Sequence, residues 1–260
     1  MSVDTIKNTI KENAGNTLNV YFTAGFPHLD STAGIIRNLS DSGVDLIELG
    51  LPYSDPLADG TTIQDSSQRA LKNGISLDLI FDQVEEARQD TKVPIIMMGY
   101  YNQMLQYGIE RFTDKCQEAG VNGLIIPDLP MNIYERDYHE LFQSKGISMS
   151  FLITPLTSDD RIRQADRLSS GFIYIVSQTS ITGKKGDIQK DQVEYFDRLS
   201  SMDLDAPGLI GFGIHDHQTY KRACQYSDGA IIGSEFIRVL GRNENDIEKG
   251  IKDFIQKIRG

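Results

Sequence analysis

Eight short apolar runs, each followed by a longer amphipathic stretch, recur along the 260 residues of the chain. The runs are LNVYFTAG (18–25), VDLIELG (44–50), VPIIMMGY (93–100), VNGLIIPD (121–128), ISMSFLIT (147–154), GFIYIVS (171–177), PGLIGFG (207–213) and DGAIIGS (228–234). They are nearly continuous rather than alternating in polarity, which is the pattern of parallel strands covered by helices. The stretches between them carry helix-end signals. DSTAGIIRNLSDSG opens at Asp30 or Ser31, offers Ile35, Ile36 and Leu39 on one face, and stops at Gly43. Two others end at Gly120 and Gly146, where a left-handed glycine cap would turn the chain into the next strand.

A (β/α)8 barrel matches this count and chain length, with 1–260 as a single domain. A doubly wound open sheet is the alternative, but no GxGxxG follows the first strand and no polar linker divides the chain. Val3, Ile6 and Ile10 fall on one face of an N-terminal amphipathic helix, and a short extra helix is expected after strand eight.

The net charge of −11 disfavours nucleic acid as a partner, because an acidic surface repels phosphate backbones. A small phosphate can still be held by backbone N–H groups. The two cysteines, Cys116 and Cys224, are far apart and outside any metal motif, as expected in a reducing compartment. The first 16 residues have no signal-peptide core, and no run approaches the roughly 20 apolar residues of a membrane span. A cytoplasmic location is the expectation.

In a barrel of this kind, chemistry sits at the C-terminal ends of strands. The second strand ends in ELGLPYSDPLADG (48–60). Glu48 shares parity with Val44 and Leu46, so it continues an apolar face into the barrel mouth with no lysine or arginine nearby. A carboxylate buried without a cation has its pKa raised, which suits proton transfer near neutral pH. Asp59 reads first as a cap for the helix starting at Thr61 or Thr62, and Asp55, before Pro56, as a turn former. Tyr174 either lines the sixth strand's exit or packs in the core. The SITGKKG segment that follows reads as a lid or a plain loop. Gly233 and Ser234 open a helix directly after strand eight, and Gly183 and Gly213 lie in neighbouring exits; together they read as an anion site for phosphate, with ordinary turn glycines as the alternative. His215 and His217 lack a third ligand and read as polar loop residues. No strand contains a lysine for a Schiff base, which leaves carboxylate acid/base work on a small phosphorylated substrate.

The motif at 48–60, together with YFTAGFP (21–27), GYYNQMLQYG (99–108), PDLP (127–130), TSITG (179–183), GFGI (211–214) and GAIIGS (229–234), closely resembles the tryptophan synthase alpha subunit family. The resemblance covers nearly the whole chain. It implies a lyase that cleaves indole-3-glycerol phosphate by a retro-aldol reaction to indole and glyceraldehyde 3-phosphate. Glu48 would be the general acid/base, Asp59 the aspartate holding the indole N–H, and Tyr174 the tyrosine beside the glutamate. Gly183, Gly213, Gly233 and Ser234 would bind the phosphate, and Tyr21, Tyr100, Thr182 and Phe212 would line the indole pocket. No metal and no cofactor are implied for this chain. Pyridoxal phosphate belongs to the partner beta subunit, in an α2β2 heterotetramer. The chain departs from the family at Thr61 (usually proline), Ser180 (often glycine) and Lys184–Lys185. Two other roles remain in view: a subunit that mainly activates its partner, and another phosphosugar enzyme of the same fold.

Overall fold

The computed structural model describes residues 2–56, 59–177, 190–211 and 213–260. Nine parallel strand segments form one sheet: β1 (Thr17–Thr23), β2 (Leu46–Gly50), β3 (Ile95–Met98), β4 (Gly123–Ile125), β5 (Ser148–Met149), β6 (Phe151–Ile153), β7 (Ile173–Val176), β8 (Gly208–Gly211) and β9 (Gly229–Ile232). Their order in the sheet is β5-β4-β3-β2-β1-β9-β8-β7-β6. The two ends, β5 and β6, are consecutive pieces of the single run expected at 147–154, so the sheet curls into a barrel. The split falls at Ser150. Its hydroxyl accepts the Phe172 N–H at 3.1 Å, so a side chain takes a bond that a strand carbonyl would otherwise make.

Most strands divide their residues between two cores. Ile47 and Leu49 of β2 face outward and pack with Ile35, Ile36 and Leu39 of the helix Ser31–Asp41. Leu46 faces inward, where Ile96, Ile125, Phe172, Leu209 and Ile231 fill the barrel as a second apolar cluster. The N-terminal helix Thr5–Glu12 drives Ile6 and Ile10, both fully buried, into this cluster and so closes one end of the barrel. Because these side chains fill the interior, the barrel is a packed core and not a channel, and only its opposite end is open to chemistry.

The glycine joints behave as expected from the sequence. Gly120 closes the helix Ile109–Ala119 at φ 82°, and Gly43 and Gly146 are also left-handed. A non-glycine residue at such a position would crowd its own backbone. Among the described residues no helix is long and apolar enough to cross a membrane.

Candidate active site

Glu48 lies in β2, fully buried, on the inward face with Leu46. Its Oε2 accepts a 3.0 Å hydrogen bond from Nδ2 of Asn19 on β1. Its Oε1 has no partner among the described residues. Burial is the dominant effect on this carboxyl. Together with the nearby charge of Asp59, it outweighs the Asn19 bond and pushes the pKa up to about 8. No ion pair among the described residues involves Glu48 or Asp59, so no cation adds to the Asn19 bond in opposing that push.

Asp59 does not cap the following helix, which corrects the first reading of its position. The helix Thr61–Asn73 starts at Gly60 with no side-chain cap. The Asp59 carboxylate turns away from the helix end, and its Oδ2 accepts a 3.0 Å bond from the Tyr100 hydroxyl, just beyond β3. The backbone carbonyl of Asp59 is held by Gln64 Nε2 at 2.7 Å. Burial raises the Asp59 pKa and the Tyr100 bond partly counters that rise. Tyr100 itself is buttressed by Tyr53, stacked at 4.9 Å and 28°. Gln103 ties the same region together, accepting from the Tyr100 N–H and donating to the Pro52 carbonyl at 2.9 Å. Asp55 stands in an exposed bend, as a turn former would.

Removing the Tyr100 hydroxyl is expected to matter. A hydrogen bond to a charged group contributes about 1.5–3 kcal/mol. Tyr100→Phe should therefore lower kcat/KM by about 10- to 100-fold while the fold survives. A Tyr100→Phe enzyme at wild-type kcat/KM would show that this bond does not hold Asp59 for the reaction.

Two tyrosines wall the mouth. Tyr21 lies on β1 over Gly50, and a Cβ at Gly50 would collide with its ring. Tyr174 lies on β7 within the interior cluster, and a Cβ at Gly211, the last residue of β8, would collide with that ring. Both glycines are thus the space that large rings need at the strand ends. Burial, with the charges of Asp59 and Glu48 added, raises the pKa of Tyr21. Burial first and Glu48 second raise that of Tyr174, so both stay neutral.

Gly213 follows β8 with φ 79°, and Gly233 follows β9 as the N-cap of the helix Ser234–Arg242. β8 and β9 are paired neighbours, so these two exits are adjacent. A helix N-terminus and a left-handed glycine turn present backbone N–H groups suited to an anion. Gly183, Thr182 and Phe212, with Ser180, Lys184 and Lys185, lie outside the described residues. His215 bonds the Gly213 carbonyl and His217 the Ile258 carbonyl, each through Nδ1 at 2.8 Å. Two clefts of about 290 and 420 Å³ flank the mouth: one is lined by 126–131, Phe151, Leu152 and Arg161, the other by Tyr53, Ser76, Asp78, Asn102 and Tyr107 among others. Neither is lined by Glu48 or Asp59, so neither cleft holds the carboxylate pair.

Sequence reasoning missed Asn19, Tyr53 and Gln103. For Asn19 a signal exists: an amide in the apolar run LNVYF, on the same parity as Tyr21. The Gln103 bond to the Tyr100 N–H is a local helix cap three residues long, whereas its bond to Pro52 and the stacking of Tyr53 on Tyr100 join different exits and leave no local signal.

The chain is similar to known proteins along nearly its whole length. A family model described as tryptophan synthase alpha chain matches residues 7–260. The tryptophan synthase alpha chain of Flavobacterium psychrophilum is 52% identical, over 93% of this chain and 94% of the relative. That of Flavobacterium johnsoniae is 49% identical, again over 93% and 94%. Among solved structures, one of the tryptophan synthase a2b2 complex from Pyrococcus furiosus superposes with a TM-score of 0.87 at 32% identity, covering 94% of this chain and 98% of that one. A Mycobacterium tuberculosis tryptophan synthase structure gives 0.86 at 26%, covering 99% and 98%.

Proposed function

We propose how the site works from one premise: the chain belongs to the tryptophan synthase alpha chain family. It is an alpha subunit of tryptophan biosynthesis and a lyase. The reading proposed for its chemistry is retro-aldol cleavage of indole-3-glycerol phosphate, performed by the whole chain, 1–260, as one catalytic domain. The observation that carries it is a fully buried carboxyl with one oxygen held by Asn19, the other unpaired among the described residues, and a second carboxylate nearby.

Glu48, as carboxylate, takes the proton of the glycerol hydroxyl next to indole C3 and passes it to C3. Protonated C3 leaves positive charge on the indole nitrogen, which the Asp59 carboxylate faces. The carbonyl of glyceraldehyde 3-phosphate then forms from the hydroxyl oxygen. The electrons of the broken carbon–carbon bond return to the ring and release indole. Charge at the ring nitrogen exists only along the reaction path, so a fixed carboxylate there favours the transition state over the bound substrate. Tyr174 packs beside Glu48 and keeps water from it, while Tyr21 and Tyr100 flank the ring with Thr182 and Phe212. Gly213, Gly233 and Ser234, with Gly183, hold the phosphate through backbone N–H groups.

The partner proposed is a beta chain in an α2β2 assembly, supported by the Pyrococcus furiosus a2b2 complex among the neighbours. Pyridoxal phosphate is placed on that partner, since the steps above use only protons and charges of this chain. A cytoplasmic location is proposed with it.

Incubating the pure chain with indole-3-glycerol phosphate, with and without a beta chain, and following indole tests the reading. Indole is expected in both cases, with more when the partner is present. No indole under either condition would overturn it, and indole only with the partner would identify a subunit whose own catalysis depends on allosteric activation.

A further inference from the structure

The amide of Asn19 is fully buried in a place that gives it almost nothing to bond. On β1 it pairs in register with Leu46 on one side and Ile231 on the other, both apolar residues of the barrel interior. Its Oδ1 has no partner among the described residues. Its Nδ2 donates to Glu48 Oε2 at 3.0 Å. A buried amide with an orphaned acceptor costs stability, and an aliphatic side chain would suit these neighbours better. An amide that weakens the fold and, among the described residues, hydrogen-bonds only the central carboxyl is explained by what it does to that carboxyl.

We propose that Asn19 is a positioning residue for the lyase reaction: it fixes one oxygen of Glu48 and thereby turns the other toward the reacting hydroxyl. This rests on the reading of Glu48 as the acid/base. The amide N–H also favours the carboxylate over the acid, against the burial that opposes it. Without Asn19, Glu48 stays protonated to higher pH and is free to rotate. The titratable groups that face Glu48 among the described residues are Tyr21 on β1, Tyr174 on β7 and Asp59 in the loop after β2. The tyrosines stay neutral because burial raises both, so Asp59 is the one charge that acts beside the amide.

The test is the pH profile of kcat/KM for indole release by the assembled enzyme, comparing wild type, Asn19→Ala, Asn19→Leu and Glu48→Gln. Asn19→Ala removes the N–H donor and adds neither bulk nor a titratable group, so it carries the test even where Asn19→Leu fails to fold. Wild-type activity is expected to rise with pH through a limb near 8, set by Glu48. Both Asn19 variants should move that limb upward by about one unit, a loss of about tenfold on its acid side, with KM nearly unchanged. Asn19→Leu should also melt at a higher temperature than wild type. An unshifted limb in both variants, with Glu48→Gln inactive, would overturn the role of Asn19 and leave that of Glu48 standing. A Glu48→Gln enzyme that still turns over would overturn the reading of Glu48 itself.

Discussion

Glu48→Gln is expected to lower indole release by about 10³- to 10⁴-fold, the upper range for loss of a general acid/base group, because in the proposed mechanism one carboxyl serves both proton transfers. Gln matches Glu in shape, and its side-chain oxygen can still accept from Asn19, so substrate binding should change little. The same substitution should reshape stability. In the unfolded chain Glu48 titrates near its ordinary 4.5, whereas in the fold burial raises it to about 8. Between these values the folded state binds more protons than the unfolded state, so stability falls as pH rises through that window. Below about 4.5 both states are protonated and the carboxyl costs nothing; above about 8 the penalty is constant, of the order of several kcal/mol for a shift of this size. Glu48→Gln removes that slope, so the variant should be less active and yet more stable than wild type at pH 8. Chemical denaturation at pH 5 and pH 8 reads the stability difference, and single-turnover indole release reads the activity. A variant retaining more than about a tenth of wild-type activity would remove Glu48 from the chemistry.

Asp59→Asn should cost about 10²- to 10³-fold in kcat, the scale for losing a fixed group aimed at charge that develops in the transition state. The amide can still accept from the Tyr100 hydroxyl, so the loop should keep its place. What disappears is the negative charge. That charge also helps to hold the Glu48 pKa up, so the residual activity of Asp59→Asn should show its Glu48 limb at lower pH than wild type. This direction is opposite to that expected for the Asn19 variants, and the pair of profiles separates the two neighbours of one carboxyl. An Asp59→Asn enzyme within tenfold of wild-type kcat would show that charge at the indole nitrogen does not limit the reaction.

Both effects begin in patterns visible along the chain. Strand parity places Glu48 on the inward face with Leu46, because side chains in a strand alternate and the outward residues Ile47 and Leu49 must meet helices. Glycine at positions 43, 120 and 146 marks where helices hand over to strands, since the left-handed turn there admits little else. The repeat of apolar run and amphipathic stretch dictates a barrel, and with it the end at which chemistry occurs. These are consequences of local geometry, with a period of two or 3.6 residues, and a single sequence contains them in full.

Contacts between distant exits are of another kind. Asp59 reads as a helix cap because the nearest backbone N–H groups are those of its own helix, yet its carboxylate meets a tyrosine hydroxyl 41 residues away. Asn19 meets Glu48 across 29 residues, in a register that neither strand states alone. The break at Ser150, which joins the two ends of the sheet, depends on the Phe172 N–H arriving from the next strand. Each contact requires the barrel to be closed at one particular stagger between strands, and that stagger is settled by the packing of the whole interior. The barrel, its open end and the inward carboxyl thus follow from periodicity along the chain. Which neighbours hold that carboxyl, and why Asp59 turns toward Tyr100, follow from barrel closure, which brings distant exits together.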